Sequence, residues 1–302
     1  MAAADQLRGL VKAAASGPLS LVRRVAGRRN INWTPEFMGF GNQLYLWCWA
    51  HADPGERQRR TVLTNERTGP WLEYVPDFAR ARLMHRHEVG LLDRRGFYWA
   101  DNERYTGDKR GFTEDTRAAF INEVLLPAPL LRNVTDTEFS SDDVRVVNVR
   151  RGDFYADWWR PRHGFDVASY VKAAVAGAVT RDGSVRRIHV VSDGIPWCRR
   201  HLAELAEIAP MTYGDASPAE NFLHVASANR LVITNSTFSL WGAYVAQAIH
   251  GESSRIWAPA FFDSTYPVGR CYEYDQHWNF IDELPGGWQP SWVLEGLEWP
   301  PS

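Results

Sequence analysis

Arg145-Val146-Val147-Asn148-Val149-Arg150-Arg151-Gly152-Asp153-Phe154-Tyr155 is the stretch on which the reading of this chain turns. Its β-branched residues favour a pleated strand over 144–149. Gly152 ends that strand, because glycine allows a sharp exit that other residues resist. Arg150 and Arg151 are thereby placed at the carboxyl end of a parallel strand, where α/β sheets hold their ligands. Two guanidinium forks there suit a diphosphate, since each donates paired hydrogen bonds to phosphate oxygens. A salt-bridged turn with no ligand is the alternative.

Downstream the rhythm is regular. Asp166 stands where an N-cap belongs, before a helix from Val167 to Val179. Ile188-His189-Val190-Val191 reads as a second strand, closed by Ser192-Asp193-Gly194, and a helix from Pro196 to Ile208 follows. Ala219–Asn229 is a further helix, Leu231-Val232-Ile233 a third strand that stops at Asn235-Ser236-Thr237, and Leu240–Ile249 a helix. Ile256-Trp257-Ala258 closes the series as a last strand. This alternation predicts a parallel sheet with right-handed crossovers. Its polar motifs then converge on one crevice. Asp193 there accepts from a nucleobase edge or ribose hydroxyls, or else caps the helix that follows it.

Upstream, Met38-Gly39-Phe40-Gly41-Asn42-Gln43 opens an apolar run through Ala50 and reads as a strand-to-helix turn whose amides face an anion or a sugar. A tight turn without a ligand is the alternative. Residues 53–118 form a small irregular α/β region with apolar islands at Thr61–Leu63 and Trp71–Val75. The polar stretch from Asn133 to Asp143 is the best linker. The tail from Trp278 holds four tryptophans and little that reads as regular structure.

At 302 residues the chain has room for two ordinary domains. Its net charge of −2 gives no general pull towards nucleic acid. Three cysteines, Cys48, Cys198 and Cys271, lie far apart, which fits neither a disulfide framework nor a metal site and suits a reducing cytoplasm. No apolar run is long enough to span a membrane. The basic amino terminus, with Arg8, Lys12, Arg23, Arg24, Arg28 and Arg29, reads as a leader, or as a foot on the inner face of a membrane. Asp-x-Asp, the phosphate-loop lysine motif and metal-ligand spacings are all absent. A bound diphosphate would therefore meet arginines, hydroxyls and backbone amides, with no metal cofactor.

Four blocks come in order: Gly39-Phe40-Gly41-Asn42-Gln43, Arg150-Arg151-Gly152-Asp153-Phe154, Val191-Ser192-Asp193-Gly194 and Ile233-Thr234-Asn235-Ser236-Thr237-Phe238-Ser239. Together they resemble the α-1,2-fucosyltransferases of glycosyltransferase family 11, from about residue 37 to residue 262. The resemblance implies an α/β fold of the GT-B type, two facing Rossmann-like domains. On that reading residues 1–30 are a basic leader, 31–140 the acceptor-side domain, 144–275 the GDP-sugar domain and 276–302 a tryptophan-rich tail.

The resemblance also implies inverting, metal-independent transfer of L-fucose from GDP-fucose to a hydroxyl of an oligosaccharide or glycoconjugate acceptor, typically position 2 of a galactoside. Arg150, Arg151, Ser236 and Thr237 would meet the phosphates, and Asn148, Ser192, Asp193 and Asn235 would complete the donor site. Gly39, Gly41 and Asn42 would line the donor from the first domain. Arg150 would stabilise the leaving group, and the base would come from Asp153, Asp157 or Asp166. A bacterial-type enzyme acting on a polysaccharide precursor would suit these features. The chain departs from the family at Asn148, usually His, at Gly194, usually Asp, at Asn221, expected as Asp, and at Leu240, usually Trp. The alternatives are a transferase for another GDP-sugar and a non-catalytic nucleotide-sugar or glycan-binding protein.

Overall fold

A computed structural model describes residues 29–52, 59–96, 113–214, 217–269, 271 and 273–297. The expected leader lies outside these residues, except that Arg29 and Asn30 open the first strand, where Arg29 pairs with Asp93 at 2.7 Å. The chain divides into two compact units, 1–129 and 130–302.

The first unit holds a parallel sheet of β1 (Arg29–Asn32), β2 (Arg59–Leu63), β3 (Leu83–Met84) and β4 (Arg94–Gly96), in the order β3-β2-β1-β4. Helix α1 (Phe40–His51) follows β1 and packs on β2. It is apolar on nearly every side, so it is buried on nearly every side, with Leu44, Leu46 and Trp47 at the centre. Phe40 stacks on Trp71, a residue of the second apolar island. Short helices α2 (Pro76–Arg82) and α3 (Glu114–Phe120) complete the unit.

The second unit is built on six parallel strands, β5 (Val144–Val149), β6 (Arg187–Ser192), β7 (Met211–Gly214), β8 (Arg230–Val232), β9 (Arg255–Pro259) and β10 (Asn279–Ile281). Their order, β10-β9-β8-β5-β6-β7, runs one way from β5 to β7 and then reverses through β8. Between β5 and β8 lies the switch point at which doubly wound sheets bind ligands. Every residue of β5 is buried, as a central strand covered on both faces requires. The connecting helices are α4 (Arg160–His163), α5 (Val167–Asp182), α6 (Ile195–His201), α7 (Pro218–Ala226), α8 (Thr237–His250) and, in the tail, α9 (Ser291–Leu294). Asp166 caps α5 as expected, accepting from the Ser169 amide at 3.1 Å.

Three expectations are corrected. Helix α6 stops at His201 and continues only as a 3-10 turn over Ala203–Glu207. The expected linker is two 3-10 turns anchored by buried Val134 and Phe139, apolar residues that its polar spelling conceals. The tail contributes the edge strand β10, paired with β9, and buries Trp288 against Phe165 and Phe261. The tail also fastens the loop that follows β5. Gln289 donates to the carbonyls of Pro161 and Gly164, Arg160 donates to that of Leu294, and the Asp166 amide donates to that of Trp288.

Phe139 lies against His189 and His224, whose rings are joined at 3.2 Å. Burial pushes His189 down to about 4 from 6.5, with His224 and Arg187 adding to the effect. Burial also lowers His224. The unfolded chain therefore binds more protons than the native state between these values, so stability is full above pH 6.5 and is lost as pH falls towards about 4. Urea unfolding should give a lower midpoint at pH 5 than at pH 7, with a smaller difference in His189→Gln. Equal midpoints at the two pH values would refute the effect.

Candidate functional site at the switch point

The loop after β5 leaves the sheet at the switch point. Gly152 makes the exit with φ +26°, and a Cβ there would run into the Asp193 carboxylate, so both conformation and space require glycine. The Arg150 amide donates to the Thr234 hydroxyl at 3.0 Å, joining the ends of β5 and β8. Its guanidinium is gripped by two carboxylates, Asp153 and, at 2.7 Å, Asp193, and stays 33% exposed. It also lies 5.2 Å from the Phe154 ring centre.

Arg151 is held differently. Its guanidinium lies 3.5 Å from the ring centre of Tyr155 and 4.3 Å from that of Trp197, a double cation–π contact. Its amide donates to Asp193 Oδ1 at 2.7 Å. A Cβ at Gly194 would sit 3.0 Å from Arg151 Cβ, so the glycine at this position gives the sandwich its room. Burial pushes the Tyr155 hydroxyl up to about 12, against the opposing charge of Arg151. A cavity of about 140 Å³ opens beside Arg151, walled in part by Tyr155, Arg160, Asp166, Trp197 and Trp292.

Asp193 thus ties the backbone of Arg151 to the side chain of Arg150, and Gly194, with no capping side chain, occupies the N-cap of α6. Ser192 accepts from the Gly194 amide at 2.9 Å. Asn148 is buried, donating to the Val191 carbonyl at 3.1 Å and accepting from the Ser239 hydroxyl, so its amide ties β5, β6 and α8 together. Asn235, also buried, donates to the carbonyls of His163 and Phe262. Ser236 caps α8 and accepts from the Ser239 amide at 3.1 Å. Thr237 is half-buried at the first position of that helix. The first turn of α8 carries no acidic residue, so no side chain of that turn offsets its partial positive charge.

Asp157 is not drawn into this cluster. It is 93% exposed and pairs with Arg160 at 2.8 Å. In the first unit Gly39 is the N-cap of α1 with open space in front of it, Gly41 is buried in the first turn and Asn42 is half-buried. Thr234, Tyr155, Trp197 and Ser239 were not singled out in the sequence, although each lies in or next to a quoted block. His163 carries no such signal in the sequence. It stacks on Phe154 at 4.4 Å, and burial pushes it down to about 4, so it is neutral at pH 7. Among the described residues no group of His, Cys, Asp or Glu is arranged to hold a metal ion, and no helix is long and apolar enough to cross a membrane.

Residues 130–282, which carry β5 through β10 and the whole switch-point edge, match the family model described as Glycosyl transferase family 11. The match spans half of the 302-residue chain. The chain belongs to glycosyl transferase family 11. As a family 11 member it is a glycosyltransferase, taking a nucleotide-sugar donor and a glycan acceptor. No curated protein matches the chain. For a family 11 protein the Rossmann-like parallel sheet is the expected frame, and the arginine pair stands at its switch point.

Proposed function

We propose that this glycosyltransferase moves L-fucose from GDP-fucose to a galactoside hydroxyl, with inversion and without a protein-held metal. The observation that carries the reading is Arg150, a partly exposed guanidinium at the switch point beside the acid-free amino terminus of α8. Both features favour a diphosphate. In the reaction the acceptor oxygen bonds to the anomeric carbon as the carbon–oxygen bond to GDP breaks. The leaving charge spreads over Arg150 and the first-turn amides near Thr237, a preorganised stabilisation of the kind that dominates many enzymes.

Arg151, held against the rings of Tyr155 and Trp197, braces the loop and is the second donor to the diphosphate. Asp153 orients Arg150. Asp157, exposed and outside the arginine cluster, takes the acceptor proton as general base. We read the fold as the GT-B type, with Gly39, Gly41 and Asn42 among the donor-binding residues. A second reading, another GDP-sugar as donor, is favoured by Asn148 and Gly194, since both depart from the usual family residues and one of them is fully engaged within the sheet.

Thermal unfolding with GDP, GDP-fucose, GDP-mannose and UDP, each in EDTA and in Mg²⁺, tests the reading. A ligand at a hundred times its dissociation constant stabilises the native state by about 2.7 kcal/mol. GDP and GDP-fucose should raise Tm equally with and without metal, and UDP should not. No shift with millimolar GDP would sink the donor assignment, and a shift with GDP-mannose but not GDP-fucose would turn it to the second reading.

A further inference from the structure

Among the described residues of the second unit, Trp158 is the most exposed large apolar side chain, at 68%. Trp197, Trp241, Trp257, Trp278 and Trp288 of the same unit are buried, and a single exposed ring gains meaning only from what holds and flanks it. The ring is not on a loose tether. The Ala156 carbonyl accepts from the amides of Trp159 and Arg160, and the Trp159 carbonyl accepts from those of Arg162 and His163. Trp159 lies between Trp158, at 4.9 Å, and His163, at 5.2 Å. Gln289 fastens the far end of the turn. The indole is thus presented on a rigid frame, within the same loop as Arg150.

We infer that Trp158 is the stacking platform for a neutral pyranose ring of the acceptor, with Asp157 beside it accepting a hydroxyl hydrogen bond. An indole face matches the C–H face of a pyranose, and the neighbouring carboxylate matches its hydroxyls. The carboxylate pairs with Arg160 at 2.8 Å through Oδ1, which leaves lone pairs to accept from a sugar hydroxyl. The assignment rests on the transferase reading, and it places the acceptor hydroxyl next to its proposed base.

Saturation-transfer NMR on the full chain with saturating GDP tests it, with methyl β-D-galactopyranoside and methyl β-D-glucopyranoside as probes. The ring protons of at least one probe should receive saturation from the wild type. The signal should fall by at least about fivefold in Trp158→Ala and mostly persist in Trp158→Phe. The GDP-induced rise in Tm should be the same in all three proteins, which certifies folding and the donor site. Equal signals in the wild type and Trp158→Ala, or none from either probe in the wild type, would overturn the platform. Absence of the GDP shift in the wild type would instead strike the donor assignment, and the sugar signals would still decide the platform.

Discussion

Arg150→Ala should lower the rate of transfer by about a hundred- to a thousandfold, the usual cost of removing one preorganised donor from a developing negative charge. The fall should appear in kcat as well as in donor affinity, because the leaving group carries more charge in the transition state than in the bound donor. Loss of the guanidinium also leaves Asp153 and Asp193 facing one another's charge without a cation between them. Arg150→Lys should recover little, since an ammonium cannot bridge two carboxylates and a phosphate as a planar fork does. Arg151→Ala should act by another route. It empties the space between Tyr155 and Trp197, so it should lower Tm as well as activity. Initial rates of GDP release, read against Tm for each variant, separate the two. Turnover within threefold of wild type in Arg150→Ala would remove this residue from the mechanism.

The second large effect lies at the other end of the same strand. Arg145 is fully buried, and its guanidinium meets Asp182 at 3.5 Å and the Ala178 carbonyl at 3.4 Å. Burial pulls Arg145 down to about 10, and the charge of Asp182 works against that shift. Asp182 also accepts from Trp257 Nε1 at 3.0 Å, so one carboxylate serves β5 and β9 from the end of α5. Asp182→Ala should destabilise the second unit by about 3–5 kcal/mol, because it strands a buried cation and leaves a buried indole N–H without an acceptor. That corresponds to a fall of roughly 10 °C in Tm for a unit of this size. Arg145→Met combined with Asp182→Leu should recover part of the loss, the unpaired Trp257 Nε1 keeping the rest. Urea unfolding followed by tryptophan fluorescence measures both. A midpoint in Asp182→Ala equal to that of the wild type would show that the pair contributes nothing.

The core of the second unit was legible because its signals were local. A continuous β-branched run over 144–149 and a capping aspartate before Val167 each announce themselves within a few residues. Strands β7 and β10 were not legible. Met211–Gly214 and Asn279–Ile281 are short edge strands with little alternation, and their pairing is decided by neighbours far along the chain. At the site, residue types suited to phosphate could be read from sequence, but not the different settings of two adjacent arginines. Arg150 and Arg151 are spelled alike. They differ because Gly194 leaves room for one of them to enter a slot between Tyr155 and Trp197, and that is a fact of three-dimensional spacing.

The fastening of the arginine loop by the tail has a consequence for how the protein comes into being. Gln289 secures Pro161 across 128 residues of sequence, and Arg160 reaches Leu294 across 134. During synthesis the strand that carries Arg150 leaves the ribosome long before the segment that steadies its loop. A nascent chain can therefore assemble most of its sheet while the arginine loop still lacks its clasp. The arginine loop thus takes its fastened form late, with the tail, once the scaffold beneath it is in place.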